Sequence, residues 1–192
     1  MILRYRLGLP VFIGTGANTC PSCKHGTLDI YGDHASVCAG GVGIKRRHDA
    51  VVHSLYTLFR QSGFGARKEV PNLLDDTGEK PADVLVDAWS NGRPVCLDVS
   101  IVSPVIASQV VRASSEMGHA FKSGESLKIE KYFLKCLSQH MAFIPVVLES
   151  FGGFGTSAIS VLKRLSDAYS DSSGLTRPQA RDRVFQRISF TF

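Results

Sequence analysis

From residues 47 to 61 the apolar positions Val51, Val52, Leu55, Leu58 and Phe59 recur at helical spacing, and Gly63 and Gly65 stop the run. A short strand is predicted at 66–70, closed by Pro71 and a polar loop over 72–80. Residues 80–104, KPADVLVDAWSNGRPVCLDVSIVSP, read as two strands about an Asn91-Gly92 turn, because both central residues of a type I′ turn need positive φ. With that pair as the loop, Ala88 faces Val95, Val86 faces Leu97 and Val84 faces Val99, an all-apolar face. Helices are predicted over 107–122 and 125–139, the second with Ile129, Phe133, Cys136 and Leu137 as its apolar face. The run 143–148 reads as a buried strand ended by Gly152-Gly153. Two amphipathic helices follow, over 157–169 and 178–188, with Pro178 at the start of the second.

Residues 1–43 behave differently. They are Gly-rich, carry no strong helical period and end in the soft run Ala39-Gly40-Gly41-Val42-Gly43. That run is expected to be a hinge between an N-terminal module (1–43) and a main domain (44–192). A chain of 192 residues, 44% hydrophobic and 20% charged, suits one domain with a small appendage. A net charge of +5 and a pI near 9.0 favour an anionic partner. No apolar run approaches the roughly 18 residues of a membrane span, so none is expected. The first sixteen residues lack the apolar stretch of a signal peptide.

The hairpin's second face carries the chemistry. It gathers Asp83, Leu85 and Asp87 with Cys96, Asp98 and Ser100. In this register Asp83 and Asp98 are diagonal neighbours, roughly 7–8 Å apart at Cα. Two ionised carboxylates held together away from water repel and are costly to desolvate. A divalent cation between them removes both costs, and Mg²⁺ binds through one or two carboxylates plus substrate phosphate oxygens. The competing expectation is a solvated face with two ordinary surface aspartates. Glu69, on the preceding strand, can supply a third carboxylate.

The five cysteines fall into a cluster and a remainder. Cys20-x2-Cys23-x10-His34-x3-Cys38 supplies three thiolates and an imidazole, a standard set for structural Zn²⁺. His25 is a rival ligand, crowded against Cys23. Four protein ligands leave no open position, so such a metal is structural, and a module this small should fold only around it. Cys96 and Cys136 sit in apolar patterns and read as buried thiols in a reducing compartment.

Basic residues flank the acids. Lys45-Arg46-Arg47-His48 opens the first helix, where backbone donors and positive charge can hold phosphate, or is simply a solvated patch. Lys128, Lys131 and Lys135 share one face of the 125–139 helix, and Lys128-x2-Lys131-Tyr132 can present an ammonium group beside the aspartates. Arg177, Arg181, Arg183 and Arg187 offer further phosphate contacts.

The order helix, three strands, helix, strand, with Pro81-Ala82-Asp83 and Leu97-Asp98-Val99-Ser100, resembles the PD-(D/E)xK restriction-endonuclease core. Over residues 20–150 it is most similar to the restriction-like endonuclease domain of early-branching, site-specific non-LTR retrotransposons. That pattern is a CCHC cluster, an Arg/Lys-His-Asn element, Pro-Asp with a second acid 12–14 residues on, and a lysine-bearing helix. Here these stand as Cys20/Cys23/His34/Cys38, Arg47-His48-Asp49, Pro81-Ala82-Asp83 with 14 residues before Asp98, and Lys128-x2-Lys131-Tyr132. The chain departs in three places: Ser100 holds the usual lysine position, Ala82 separates Pro81 from Asp83, and Asp49 replaces asparagine.

The resemblance implies an α/β fold with a mixed central sheet flanked by helices and a small zinc module. It also implies a Mg²⁺- or Mn²⁺-dependent endonuclease acting on target DNA. Asp83 and Asp98 would bind the metal, with Lys131 or else Lys128 as the catalytic lysine and Glu69 as an additional acid. Arg46, Arg47, His48, Lys128 and Tyr132 would contact nucleic acid. The family domain follows a reverse transcriptase, so the expected partners are DNA and the RNA of a parent retroelement, in an intracellular, nuclear setting. With no polymerase in the sequence, the chain is expected to be either an excised fragment or a free-standing relative. Two other classes compete: a catalytically inactive zinc-containing nucleic-acid-binding module, for which Ser100 argues, and a zinc-bearing protein-interaction domain.

Overall fold

The computed structural model describes residues 2–12, 18–38, 40, 43–74 and 79–191. Most of the expected hinge at 39–43 and the middle of the 72–80 loop lie outside the described residues. The elements are α1 (Ile2–Arg6), β1 (Asn18–Thr19), β2 (Thr27–Leu28), α2 (Asp33–Val37), α3 (Gly43–Gln61), β3 (Ala66–Lys68), β4 (Val84–Ser90), β5 (Arg93–Val102), α4 (Val110–Ala113), α5 (His119–Ser138), β6 (Ala142–Glu149), α6 (Thr156–Ser173) and α7 (Arg177–Ser189).

The main sheet runs β3-β4-β5-β6. The first two pairings are antiparallel and β5–β6 is parallel, the crossover being supplied by α5. β6 is the sheet edge, which is why Pro145 is tolerated within it. One face of the sheet (Val84, Val86, Val95, Leu97, Val99) buries against Val51, Leu55 and Phe59 of α3, Val161, Leu162 and Leu165 of α6, and Val184 and Ile188 of α7. On the other face Leu85, Cys96 and Phe143 pack with Tyr132 and Cys136 of α5. The mixed α/β architecture with helices on both faces of a mixed sheet is therefore as the sequence implied.

Three local expectations are corrected. Asn91 and Gly92 do form the turn, with φ of 51° and 74°, and Ser90 pairs with Arg93. Beyond it β4 bulges, so that Val86 faces Val95 and Val84 faces Leu97, two residues from the expected register. Pro94 lies opposite the bulge and has no N–H to give to the ladder, a physical reason for the irregularity. A two-residue slip preserves the faces, but within the bulge Ala88 turns out to solvent and Trp89 turns into the core.

The helix expected at 107–122 is instead a single turn, α4, followed by a loop and the start of α5. Gly118 at φ 76° marks that start, a left-handed residue that a continuous helix would not contain.

The buried stripe of α5 is Ala120, Tyr132 and Cys136, not the Ile129, Phe133 and Leu137 face, whose residues are nearly half exposed. The stripe steps by four through Gly124, where an added Cβ would stand 3.2 Å from Val102 and Val147 side-chain carbons. The helix therefore lies close on the sheet, and Lys128, next in the same row, points inward.

The N-terminal segment is tied to the main domain at several points. The Tyr5 and Phe151 rings stack at 4.8 Å and the Arg6 guanidinium donates to the Ser189 carbonyl at 2.7 Å, while the Tyr5 hydroxyl bonds Ser36 Oγ at 2.8 Å within the segment itself.

Candidate functional site

The N-terminal cluster assembles from a knuckle and a short helix. Cys20 and Cys23 lie on the turn between β1 and β2, closed by the Cys20 N–H donating to the Gly26 carbonyl at 2.7 Å. A Cβ at Gly26 would collide with the His34 ring at 1.8 Å, so the knuckle needs glycine there. Asp29 organises the far side: its carboxylate accepts the N–H groups of Tyr31, Gly32, Asp33 and His34, starting α2 and aiming His34.

The Cys20, Cys23, His34 and Cys38 donor atoms all lie within 4.8 Å of one another. Cys20 Sγ is 3.6 Å from Cys38 Sγ, and Cys23 Sγ is 3.4 Å from His34 Nε2. A tetrahedron around zinc with Zn–S bonds of ~2.3 Å has edges of about 3.8 Å, so the four residues can hold a zinc ion. The Cys23 backbone N–H is the first influence that draws the Cys20 thiol down to about 7, in the direction thiolate ligation requires. His25 is exposed and outside the cluster.

The second constellation lies where β4 begins and β5 passes beneath α5. Asp83 is clamped by its backbone: its N–H donates to the Leu97 carbonyl at 2.9 Å and its carbonyl accepts the Glu69 N–H at 3.0 Å. Its Oδ2 accepts the Val99 N–H at 2.7 Å and lies 3.3 Å from His48 Nε2, brought by the first turns of α3. Asp98, on β5, is buried, its side chain 8% exposed. Lys128 reaches it from α5, donating to Oδ1 at 3.1 Å and standing 2.8 Å from Oδ2. That second approach is out of line for a hydrogen bond, and among the described residues Oδ2 has no hydrogen-bond partner.

Burial raises the Asp98 pKa, Lys128 opposes that shift, and the neighbouring Asp83 charge adds to it. Conversely, the bond to Asp83 is the largest cause that lifts His48 to about 9, so its imidazole is protonated at neutral pH. Asp49 adds a second contact to His48 at 3.2 Å.

His48, Asp49, Asp83 and Lys128 border an open groove of about 760 Å³, which Asp98 meets through Lys128. Lys45, His48, Lys80 and Lys128 bring positive charge to it; Asp49, Glu69 and Asp83 bring negative charge. Asp83, Asp98, Lys128 and His48 are therefore brought together.

Other expected site residues stand elsewhere. Glu69 lines the groove in a left-handed conformation (φ 46°), but its carboxylate is exposed and lies 4.0 Å from Lys80. Lys131 is 3.9 Å from Glu79 and 4.6 Å from the Tyr132 ring centroid, and Lys135 bonds Glu79 at 2.6 Å. Tyr132 is buried with its ring 5.6 Å from that of Phe143. Arg46 is exposed on the first turn of α3. Arg47 turns to the zinc module instead, donating to the Ser36 carbonyl.

Sequence reasoning missed the proton-bearing pairing of His48 with Asp83 and the entry of Lys80 into the groove. The only signal for the first was His48 one helical turn from a basic helix start. No protein-family model matches the chain and no curated protein matches it.

Proposed function

We propose that the chain is a divalent-metal-dependent DNA endonuclease with a PD-(D/E)xK-like core. The observation that carries the reading is that Asp83 and Lys128 line one groove and that Lys128 also holds the buried carboxylate of Asp98. The order α3, β3, β4, β5, α5, β6 and the mixed sheet agree with it.

The donor set fits a hard cation: among the described residues no hydrogen bond reaches Asp83 Oδ1, and Asp98 Oδ2 has only the Lys128 ammonium at 2.8 Å, which an ion would displace. Mg²⁺ or Mn²⁺ held by Asp83 and Asp98 would polarise the scissile phosphate and lower the pKa of bound water.

The remaining roles fall to the chain itself. The Val99 N–H and His48 fix the Asp83 carboxylate. Lys128 favours the charged form of Asp98 against the burial that opposes it and offsets charge on the phosphate, filling the part that Ser100 does not. His48 holds a proton at the groove, and Lys45 and Lys80 attract the DNA backbone, giving binding that weakens steeply with salt. The zinc module braces α3 through Arg47 and Ser36. An intracellular, nuclear location belongs to the same proposal.

Plasmid cleavage with Mg²⁺ or Mn²⁺, comparing the native chain with Asp83→Ala and Asp98→Ala, tests it. Native cleavage lost in both variants is expected; equal cleavage by all three refutes it. A binding-only module is the alternative that Ser100 favours, and it predicts salt-sensitive DNA binding without nicking.

A further inference from the structure

Beside the groove lies a second, more enclosed cavity of about 310 Å³. It sits where the ends of β5 and β6 meet α5, the loop before α4, the start of α3 and the zinc module. The two spaces adjoin, sharing Ile44, Ile101 and Val102 as common wall. The volume is at the lower end of the roughly 300–1,000 Å³ typical of small-ligand pockets. Its walls are mostly aliphatic, among them Ile44, Ile106 and Leu127.

Into this apolar setting the fold puts three polar atoms without partners. Ser103 and Ser150 follow directly after β5 and β6 and are held together by the Ser150 N–H donating to the Val102 carbonyl at 2.9 Å. Both side chains line the cavity, both residues are more than nine-tenths buried, and neither hydroxyl has a hydrogen-bond partner among the described residues. Gln109 Oε1, from the residue before α4, is in the same lining, buried and without a hydrogen-bond partner among the described residues. Buried polar groups are ordinarily hydrogen-bonded, so three together at one cavity point to a ligand that supplies the missing bonds. Two hydroxyls can each donate or accept and the amide oxygen accepts, so the ligand must carry both donors and acceptors. Arg47 is the one charged residue in the lining and already donates to the Ser36 carbonyl, so the aliphatic walls and neutral hydroxyl and amide groups left to a ligand suit a planar heterocycle.

We infer that this cavity receives an unpaired nucleobase from the DNA strand lying in the adjoining groove. The inference rests on the nuclease reading and adds to it: cleavage would favour sites where one nucleotide next to the cut can leave the stack. Bases drawn out of a helix are read in this way, by hydrogen bonds to their edges between apolar side chains. No aromatic ring lines the cavity, so a fluorescent base analogue seated there escapes the stacking that quenches it.

The test uses the full chain with its zinc and single-stranded DNA carrying one 2-aminopurine, without Mg²⁺ or Mn²⁺. Anisotropy reports strand binding and 2-aminopurine emission reports extrusion. Native protein should bind the strand and raise the emission. In Ser103→Ala/Ser150→Ala, loss of two bonds to the base should reduce the seated fraction by about tenfold while strand binding holds. The double variant should melt no lower than the native chain, since the hydroxyls lack protein partners. A bound strand with unchanged emission, or equal emission in native and double variant, overturns the pocket alone. Failure of the native chain to bind the strand also overturns the pocket, and the nuclease reading is judged separately by plasmid cleavage with Mg²⁺ or Mn²⁺.

Discussion

The Lys128 ammonium stands 2.8 Å from Oδ2 and 3.1 Å from Oδ1 of Asp98, bridging α5 to β5 and neutralising the most buried acid described in the sheet. Removing one partner of such a pair costs more than the pair contributes, because a desolvated charge is left behind. With Lys128 one-third exposed, Lys128→Met should lower stability by about 1–3 kcal/mol at neutral pH. The loss should shrink as pH falls and Asp98 takes up a proton. Adding Asp98→Asn to Lys128→Met should restore most of it. Urea unfolding of the two variants at pH 5 and pH 7.5 measures both effects.

His48 gives a second, spectroscopic handle. Its pKa is raised above the ordinary histidine value, to about 9, chiefly by Asp83. A raised base contributes stability that is complete below about 6.5 and is lost as pH rises through about 9. An NMR titration should place the His48 midpoint near 9, and Asp83→Asn should move it down towards 6.5. A midpoint unmoved by that substitution would mean the pairing does not control the imidazole.

The Cys20/Cys23/His34/Cys38 cluster predicts one zinc per chain by native mass spectrometry, lost in Cys38→Ala. Because β1 and β2 are two residues each, the N-terminal module has little order of its own without metal. The single tryptophan separates this from global unfolding. Trp89 packs edge-on to Phe59 at 5.9 Å, with the Arg164 guanidinium 4.3 Å from its ring, far from the cluster in sequence and in the main core. Chelation should therefore increase amide exchange around residues 18–38 while Trp89 emission stays native-like.

Trp89 also tests the bulged register. The expected register left it on the outer face; the bulge turns it inward. Trp89→Ala should cost about 3–5 kcal/mol, as for a large core aromatic, whereas Ala88→Ser should be nearly neutral. A small effect of Trp89→Ala together with a larger cost of Ala88→Ser would argue for the unbulged pairing.

Much of this was legible in the residues. Asn91-Gly92 fixed the hairpin, the i, i+3, i+4 pattern of Val51, Val52, Leu55, Leu58 and Phe59 fixed α3, and the Cys/His spacing foretold a cluster that does come together. What escaped were matters of tertiary fit. Pro94 disrupts the ladder only in the company of β4. On α5 the apolar residues Ile129, Phe133 and Leu137 outweighed Gly124 and Lys128 in the pattern, yet close approach to the sheet selected the smaller row. His48 and Asp83 are 35 residues apart and meet only because α3 starts at the mouth of the β4–β5 pair.

The account stands or falls on whether the two aspartates share a cation. A crystal of the native chain soaked in Mn²⁺, with anomalous scattering recorded, reads this directly. We predict a peak bound by Asp83 and Asp98, with the Lys128 ammonium moved off Asp98, and no peak there in Asp98→Asn. An undisturbed Lys128–Asp98 pair with no manganese beside Asp83 would contradict it.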